Sequence, residues 1–324
     1  SAIPEEGGEL KIHHACLRGR KIISAGEGVP SPLAGITRVS VFSLESYFEQ
    51  VDLAAASVKL LPLVARRHVD AELVFDDSLY RLRACSRAKT ERAIAADLAA
   101  LPERDLEAAV SQLPLQQRPC EQLVPLELAI AALVGQLTAE AVMVFWEKGG
   151  VLISLLVAGG MVQTRMRELV SDDNRELVLQ RADAGLRAAA SRSGDGRDKL
   201  PALYTGDLLD GQLALEGQVS SLENGLTKLF RNGRGVAQDA VLRHPELYGL
   251  PCVAQEWSFL EPGYRQQLQA WRYARPAAAA AAVVGVAIGL YGGAQHLQAL
   301  NIASEFDQQR AGLSADLAVF ERTR

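Results

Sequence analysis

The chain has 324 residues, with 34 Lys+Arg against 39 Asp+Glu, and 48% of it is hydrophobic. That length holds one large domain or two smaller ones with proper cores. The mild negative balance excludes the electrostatic footprint of a nucleic-acid binder. The four cysteines (Cys16, Cys85, Cys120, Cys252) are scattered without a CxxC pair. They exclude a zinc site or a disulfide framework and read as reduced cytosolic thiols.

The first ten residues, SAIPEEGGEL, are polar and acidic, so no signal peptide is expected there. LKIHHACL and KIISAG then alternate as half-buried strands around the polar turn Arg18-Gly19-Arg20. A Pro/Gly-rich connection at 26–35 leads to a further strand, TRVSVFSL. His13 and His14 are adjacent on a strand, so they point to opposite faces and do not share a metal. Residues 52–68 predict a helix with Pro62 anomalous inside it. A strand pair follows, DAELVFDD and SLYRLRACSR, joined by Asp76-Asp77-Ser78. Two adjacent aspartates are a conceivable metal site, but a polar turn explains them more simply. The spacing of apolar residues predicts helices over 90–101 (capped by Thr90), 102–113 and 125–137.

Residues 140–170 are the most legible part. AEAVMVFWE, VLISLLVAG and MVQTRMREL read as a β-meander with turns at Lys148-Gly149-Gly150 and Gly159-Gly160. Its second strand is apolar on both faces and so must be covered on both. A helix is expected over 174–190, a short strand at ALYTG, and a helix over 220–230 closed around Asn232-Gly233. Two βββ-plus-helix halves are suggested, without a sequence repeat.

The dominant feature comes late. Residues 276–295 carry no charge, and about 20 apolar residues cross a bilayer core as a helix. Trp271, Arg272, Tyr273 and Arg275 crowd one flank and Tyr291 lies near the other. Basic residues precede the stretch (Arg265, Arg272, Arg275) and none follows before Arg310, so the positive-inside rule places the large N-terminal part in the cytoplasm. Gly285, Gly289 and Gly293 form GxxxGxxxG, a face on which two helices approach closely in lipid; an Ala/Gly-rich helix also contains such spacing by chance. In the tail, Ile302, Phe306, Leu313, Leu317 and Phe320 recur at helical spacing, as in a short coiled coil.

No GxxxxGK[ST], GxSxG, HExxH or strand–GxGxxG–helix motif is present. Gly194-Asp195-Gly196 and Gly233-Arg234-Gly235 lack the strand-before, helix-after context of a phosphate cradle and read as surface loops.

With these parts in order, the chain resembles the actin-like inner-membrane assembly proteins of type IV pili and type II secretion, the PilM, GspL and MshI group. The meander at 141–169 carries the resemblance, with its glycine turn and arginine-bearing third strand. So do the order of cytoplasmic domain, late membrane helix and external coil, and YGLP…FLEPGYR at 248–265. The resemblance implies an α/β, two-lobed actin-like (ribonuclease H-like) cytoplasmic domain. The lobes are expected at 1–124 and 125–262, with a basic juxtamembrane segment at 263–275. A transmembrane helix at 276–296 and a periplasmic coiled-coil stalk at 297–324 complete the layout.

Nucleotide-binding members carry an acidic residue near the start of each half. Here Phe145 and Trp146 stand where one is expected, and KIHHACLRGRK has no Asp either. The resemblance therefore implies a scaffold without catalytic residues, cofactor or metal, in a bacterial inner membrane. Its implied partners are other inner-membrane assembly proteins, a cytoplasmic assembly ATPase, and a dimer mate through the helix and stalk, with no nucleic acid. An active tethered ATPase and a bitopic signalling regulator are the alternatives. GspL-like proteins continue into a further α/β domain, so a truncated chain or a minimal stalk is expected.

Overall fold

The structure is a computed structural model. It describes residues 2–4, 10–18, 20–28, 37–54, 57–72, 74–75, 79–90, 93–111, 120–192, 200–210, 220–231, 236–237 and 239–322. The turn residues 76–78 and the loops at 194–196 and 233–235 lie outside these. The chain divides into a compact unit, Ser1–Glu261, and a second unit, Pro262–Arg324.

The compact unit begins β1 (Ala2–Pro4), β2 (Leu10–Arg18), β3 (Lys21–Glu27), β4 (Thr37–Val41), β5 (Tyr47–Leu53), α1 (Leu61–Ala71), β6 (Tyr80–Lys89), β7 (Ile94–Pro102), α2 (Glu103–Ser111), β8 (Cys120–Pro125) and α3 (Leu126–Val134). It continues β9 (Val142–Lys148), β10 (Val151–Ala158), β11 (Met161–Leu169), α4 (Arg175–Arg192), β12 (Ala202–Gly206), α5 (Ser220–Leu229), α6 (Ala240–Arg243) and α7 (Pro245–Gly249). The second unit is one helix, α8 (Pro262–Arg322).

Two sheets repeat one plan. In the first, of order β3-β2-β1-β4-β8, an antiparallel meander pairs through β1 with parallel β4. In the second, of order β11-β10-β9-β12, the meander pairs through β9 with parallel β12. The sequence suggests two such halves, but the first strand of the first meander escapes it, because three residues leave no periodicity to read.

The second meander forms as its sequence predicts. Gly149, Gly150, Gly159 and Gly160 all have positive φ (56°, 74°, 60° and 78°), and consecutive positive values match the right-handed twist of tight hairpins. On one face of β10, Leu152 and Leu156 pack with Val178, Leu179, Ala182 and Leu186 of α4. On the other side lies α3, which also contacts β4 and β8 of the first sheet. Being apolar all round, α3 is buried at every position but Ala132.

A third sheet, β5-β7-β6, carries α1 on its face, with Leu61, Ala65 and Val69 against Ile94, Ala96, Leu98 and Ala100. Here the sequence misleads. Residues 90–101 read as a helix, yet Ile94–Pro102 is the central strand of this sheet. An alanine-rich run buried on both faces fits either period, and its one charge, Asp97, mimics a polar helix face. Asp97 is instead buried, 3.0 Å from Arg87 Nε. The helix expected over 52–68 divides into the end of β5, a 3-10 turn at Val58–Leu60, and α1. Pro62 is no anomaly: it sits in the first turn of α1, where its missing N–H costs nothing. The strand expected at DAELVFDD is absent from its described part, since α1 continues through Ala71 and neither Val74 nor Phe75 is in a strand.

The 61 residues of α8 rise about 90 Å. Within it, Pro276–Ser314 is long and apolar enough to cross a membrane, and none of that window is buried. At about 58 Å it is nearly twice the hydrocarbon thickness, so the expected 276–296 portion alone suffices.

Candidate functional site

The last stretch of the compact unit, residues 250–261, is held as a strap. Gln122 on β8 donates through Nε2 to the carbonyls of Val253 and Ala254, each 3.1 Å away. The N–H of Phe259 donates to Leu123 O at 2.7 Å, and Ser258 Oγ accepts from Leu123 N. From β6, Arg83 donates to Ser258 O at 2.6 Å and Leu260 O at 3.1 Å. Arg81 reaches Phe259 O, Glu103 and Glu261. Trp257, Phe259 and Leu260 are buried beneath. Charge-assisted bonds of this kind contribute roughly 1.5–3 kcal/mol each. The strap thus ties the last residues of the compact unit, up to Glu261, to β6 and β8. Sequence reasoning misses these residues. The one available signal was Arg81 and Arg83, two residues apart and thus on one strand face.

The arginines of β11 tie the two large sheets together. Arg165 Nε lies 2.7 Å from Glu127 Oε1, with Glu127 fully buried at the start of α3. The same carboxylate accepts from Ser46 Oγ at 2.6 Å. The Arg165 guanidinium also donates to the carbonyls of Ser43, Leu44 and Ser46, and Arg167 to Leu44 O. The segment after β4 is thereby bound to the edge of the second sheet.

Next to Phe145 and Trp146, before the β9–β10 turn, the strand carries an acid one residue later. Phe145 and Trp146 are both fully buried; Phe145 stacks on Tyr204 and Trp146 Nε1 donates to Glu246 at 3.2 Å. The acid is Glu147, accepting from Arg175 at 2.5 Å. Burial pushes its carboxyl up, against the hydrogen bond and charge of Arg175. Asp207, just past β12, accepts from Lys148 Nζ at 2.9 Å and from the N–H of Gly149 at 3.2 Å. Glu147, Gly149, Asp172, Asp173, Arg175 and Asp207 line an open cleft of about 730 Å³. The first-half counterpart of this turn also moves. By topology it is the β1–β2 connection, which reads EEGGE at 5–9, outside the described residues, and not KIHHACLRGRK, which forms β2 and β3. Among the described residues, no cluster of three or more His, Cys, Asp or Glu could hold a metal ion.

Beside this end, the His13 ring of β2 packs at a tilt of 33° against His244 with centroids 4.8 Å apart, and His244 contacts buried Glu246 at 3.1 Å. Burial, then the nearby His244 and Lys148, lowers the His13 pKa from 6.5 to about 4. Between those values the unfolded chain binds a proton that the folded chain does not, so stability falls as pH drops through the window. The loss is expected to reach about 3 kcal/mol near pH 4. Comparing denaturant unfolding of the parent and His13→Phe near pH 7 and pH 4 checks it: the variant is expected to lose that part of the slope, and parallel curves would refute it.

Gly285, Gly289 and Gly293 lie at four-residue spacing on α8 with nothing within 4 Å of an added Cβ. Around them Val283, Val284, Val286, Ile288, Leu290 and Tyr291 are 57–72% exposed, a continuous apolar surface open to lipid or another helix. Ile302, Phe306 and Leu313 continue that exposure down the helix; Leu317 and Phe320 have no described side-chain environment.

The repeated meanders, each joined to a parallel strand, and the helix α3 between them define the actin-like (ribonuclease H-like) class of α/β folds. Among solved structures, the chain is similar to one in a PilM–PilN type IV pilus biogenesis complex. The match is at 11% identity and a TM-score of 0.52, covering 74% of this chain and 94% of that one. It is also similar to the cytoplasmic domain of EpsL, an inner-membrane component of the type II secretion system of Vibrio cholerae (15% identity, 74% of this chain, 89% of that one, TM-score 0.43). A Bacteroides thetaiotaomicron protein with an actin-like ATPase fold matches at 8% identity, 68% of this chain and 74% of that one, TM-score 0.35. The first likeness establishes the fold. No family model matches the chain, and no curated protein matches it in sequence. The resemblance read from the sequence is thus a likeness of architecture.

Proposed function

We propose that this protein is a non-enzymatic scaffold of a bacterial inner-membrane assembly platform, of the type IV pilus or type II secretion kind. It would link a cytoplasmic assembly ATPase to partners in the membrane and periplasm, with its N-terminal unit cytoplasmic. The observation that carries this is the order of parts: an actin-like unit is followed, in the same chain, by a helix long and apolar enough to cross a membrane. The likeness to a structure in a PilM–PilN type IV pilus biogenesis complex favours a pilus assembly context. The glycine face of α8 at Gly285, Gly289 and Gly293, with the stalk beyond it, is the proposed contact with a partner helix or a second copy.

The scaffold role without hydrolysis rests on the β9–β10 turn, where Glu147 and Asp207 are engaged by Arg175 and Lys148. The presence of Glu147 at that turn is what favours the second reading, a tethered ATPase. Calorimetry of the full chain in detergent with Mg²⁺ and ATP separates them: no binding heat is expected, and micromolar affinity would replace the scaffold reading with the second one. For the glycine face, Gly289→Leu is expected to weaken self- or partner association in bilayers about tenfold, by energy transfer between labelled chains. Unchanged association would remove that contact from the proposal.

A further inference from the structure

The β2–β3 hairpin ends in a positive island that neither the strap nor the arginines of β11 use. Arg18 and Lys21 face each other across the last register position of the hairpin. Like charges directly opposite in an antiparallel pair are destabilising. The fold adds to the conflict. Arg231, distant in sequence, is bridged to this point: its N–H donates to Arg20 O at 2.8 Å and its carbonyl accepts from Ile22 N–H at 2.9 Å. Arg18, Arg20, Lys21 and Arg231 are all exposed. Among the described residues none of the four forms an ion pair, although the chain carries a net charge of −5 and has carboxylates to spare. On the same strand face as Lys21, Ile23 is 47% exposed, left out by the register shift between Cys16 and Leu17.

Four uncompensated cations around one exposed isoleucine match an anionic surface with an apolar layer beneath it. We infer that this hairpin end docks on the headgroups of an anionic lipid bilayer. A bilayer is the occupant favoured by what the same chain carries. The candidate span opens about 14 residues after the compact unit ends, a helical rise of roughly 21 Å. That length keeps the unit within reach of a surface whose potential contributes about 1 kcal/mol per nearby Lys or Arg. Docking would set which face of the compact unit meets the membrane. The inference rests on the membrane reading above.

The test uses the full chain with a photo-crosslinking benzophenone amino acid at Ile23. It is reconstituted in vesicles of neutral phosphatidylcholine or of phosphatidylcholine mixed with phosphatidylglycerol. Lipid adducts are expected roughly tenfold more abundantly in the anionic vesicles, and to fall to the neutral level in high salt and in the Arg18→Gln/Lys21→Gln double variant. A chain that inserts in both vesicles with equal or absent adducts overturns this inference alone. Adducts formed only with added polyglutamate overturn it in favour of an acidic protein partner. A chain that enters neither vesicle overturns the span and the docking together.

Discussion

Gly249→Ala is expected to destabilise the compact unit by about 4 kcal/mol or more, lowering its melting temperature by roughly 10 °C. A Cβ at this position would lie 1.8 Å from the carbonyl oxygen of Ala129 and 2.5 Å from its carbon. Both obstacles are backbone, so no side-chain rotation relieves the clash. Nor can α3 retreat, because it is wedged between the two large sheets. Ordinary overpacking in a core that can adjust costs about 1–3 kcal/mol; a site closed on every side should exceed that. The damage should also be directional, since α7 leads straight into the strap, where Arg38 donates to Leu250 O. Fluorescence of the buried Trp146 and Trp257 reports unfolding, and proteolysis at 250–261 reports loosening of the strap. Gly26→Ala is the control: its Cβ would come no closer than 3.6 Å to His14, and a change within about 0.5 kcal/mol is expected. Equal melting temperatures for the two variants would sink the close-packing account.

Gly249 also shows what a sequence can carry. In the sequence this glycine lies within YGLP at 248–251, part of the stretch that carries the resemblance. Its physical reason, a backbone meeting a backbone, lies in Ala129, over a hundred residues away. The second meander was legible because its signals are local: paired glycines supply positive φ, and an unbroken apolar run demands cover on both faces. The central strand β7 was not, because alanine suits both periods and its burial comes from α1 and two neighbouring strands. The strap was the least legible of all. Its bonds run from Arg81, Arg83 and Gln122 to main-chain carbonyls, and a carbonyl has no sequence signature. Only the strand register reveals that Phe145 and Trp146 are buried on opposite faces of β9 while Glu147, the next strand residue, meets Arg175.

The second large effect is expected at Glu127, which in LELAIAALV looks like an ordinary first-turn acid favoured by the helix dipole. Glu127→Ala should cost about 3–5 kcal/mol, because it leaves Arg165, whose side chain is only 12% exposed, without its counter-charge. Arg165→Met should cost a similar amount by stranding a fully buried carboxylate. The double replacement Glu127→Ala/Arg165→Met removes both charges from the interior and should recover much of the loss, since apolar substitutes for a buried pair are often neutral. Guanidinium unfolding of the four chains then yields a coupling energy of about 3 kcal/mol or more if the ion pair dominates. A double variant as weak as Glu127→Ala would show something different. The bonds from Arg165 to the carbonyls of Ser43, Leu44 and Ser46 would then be what holds the first sheet to the second, with Glu127 serving only to aim the guanidinium at them.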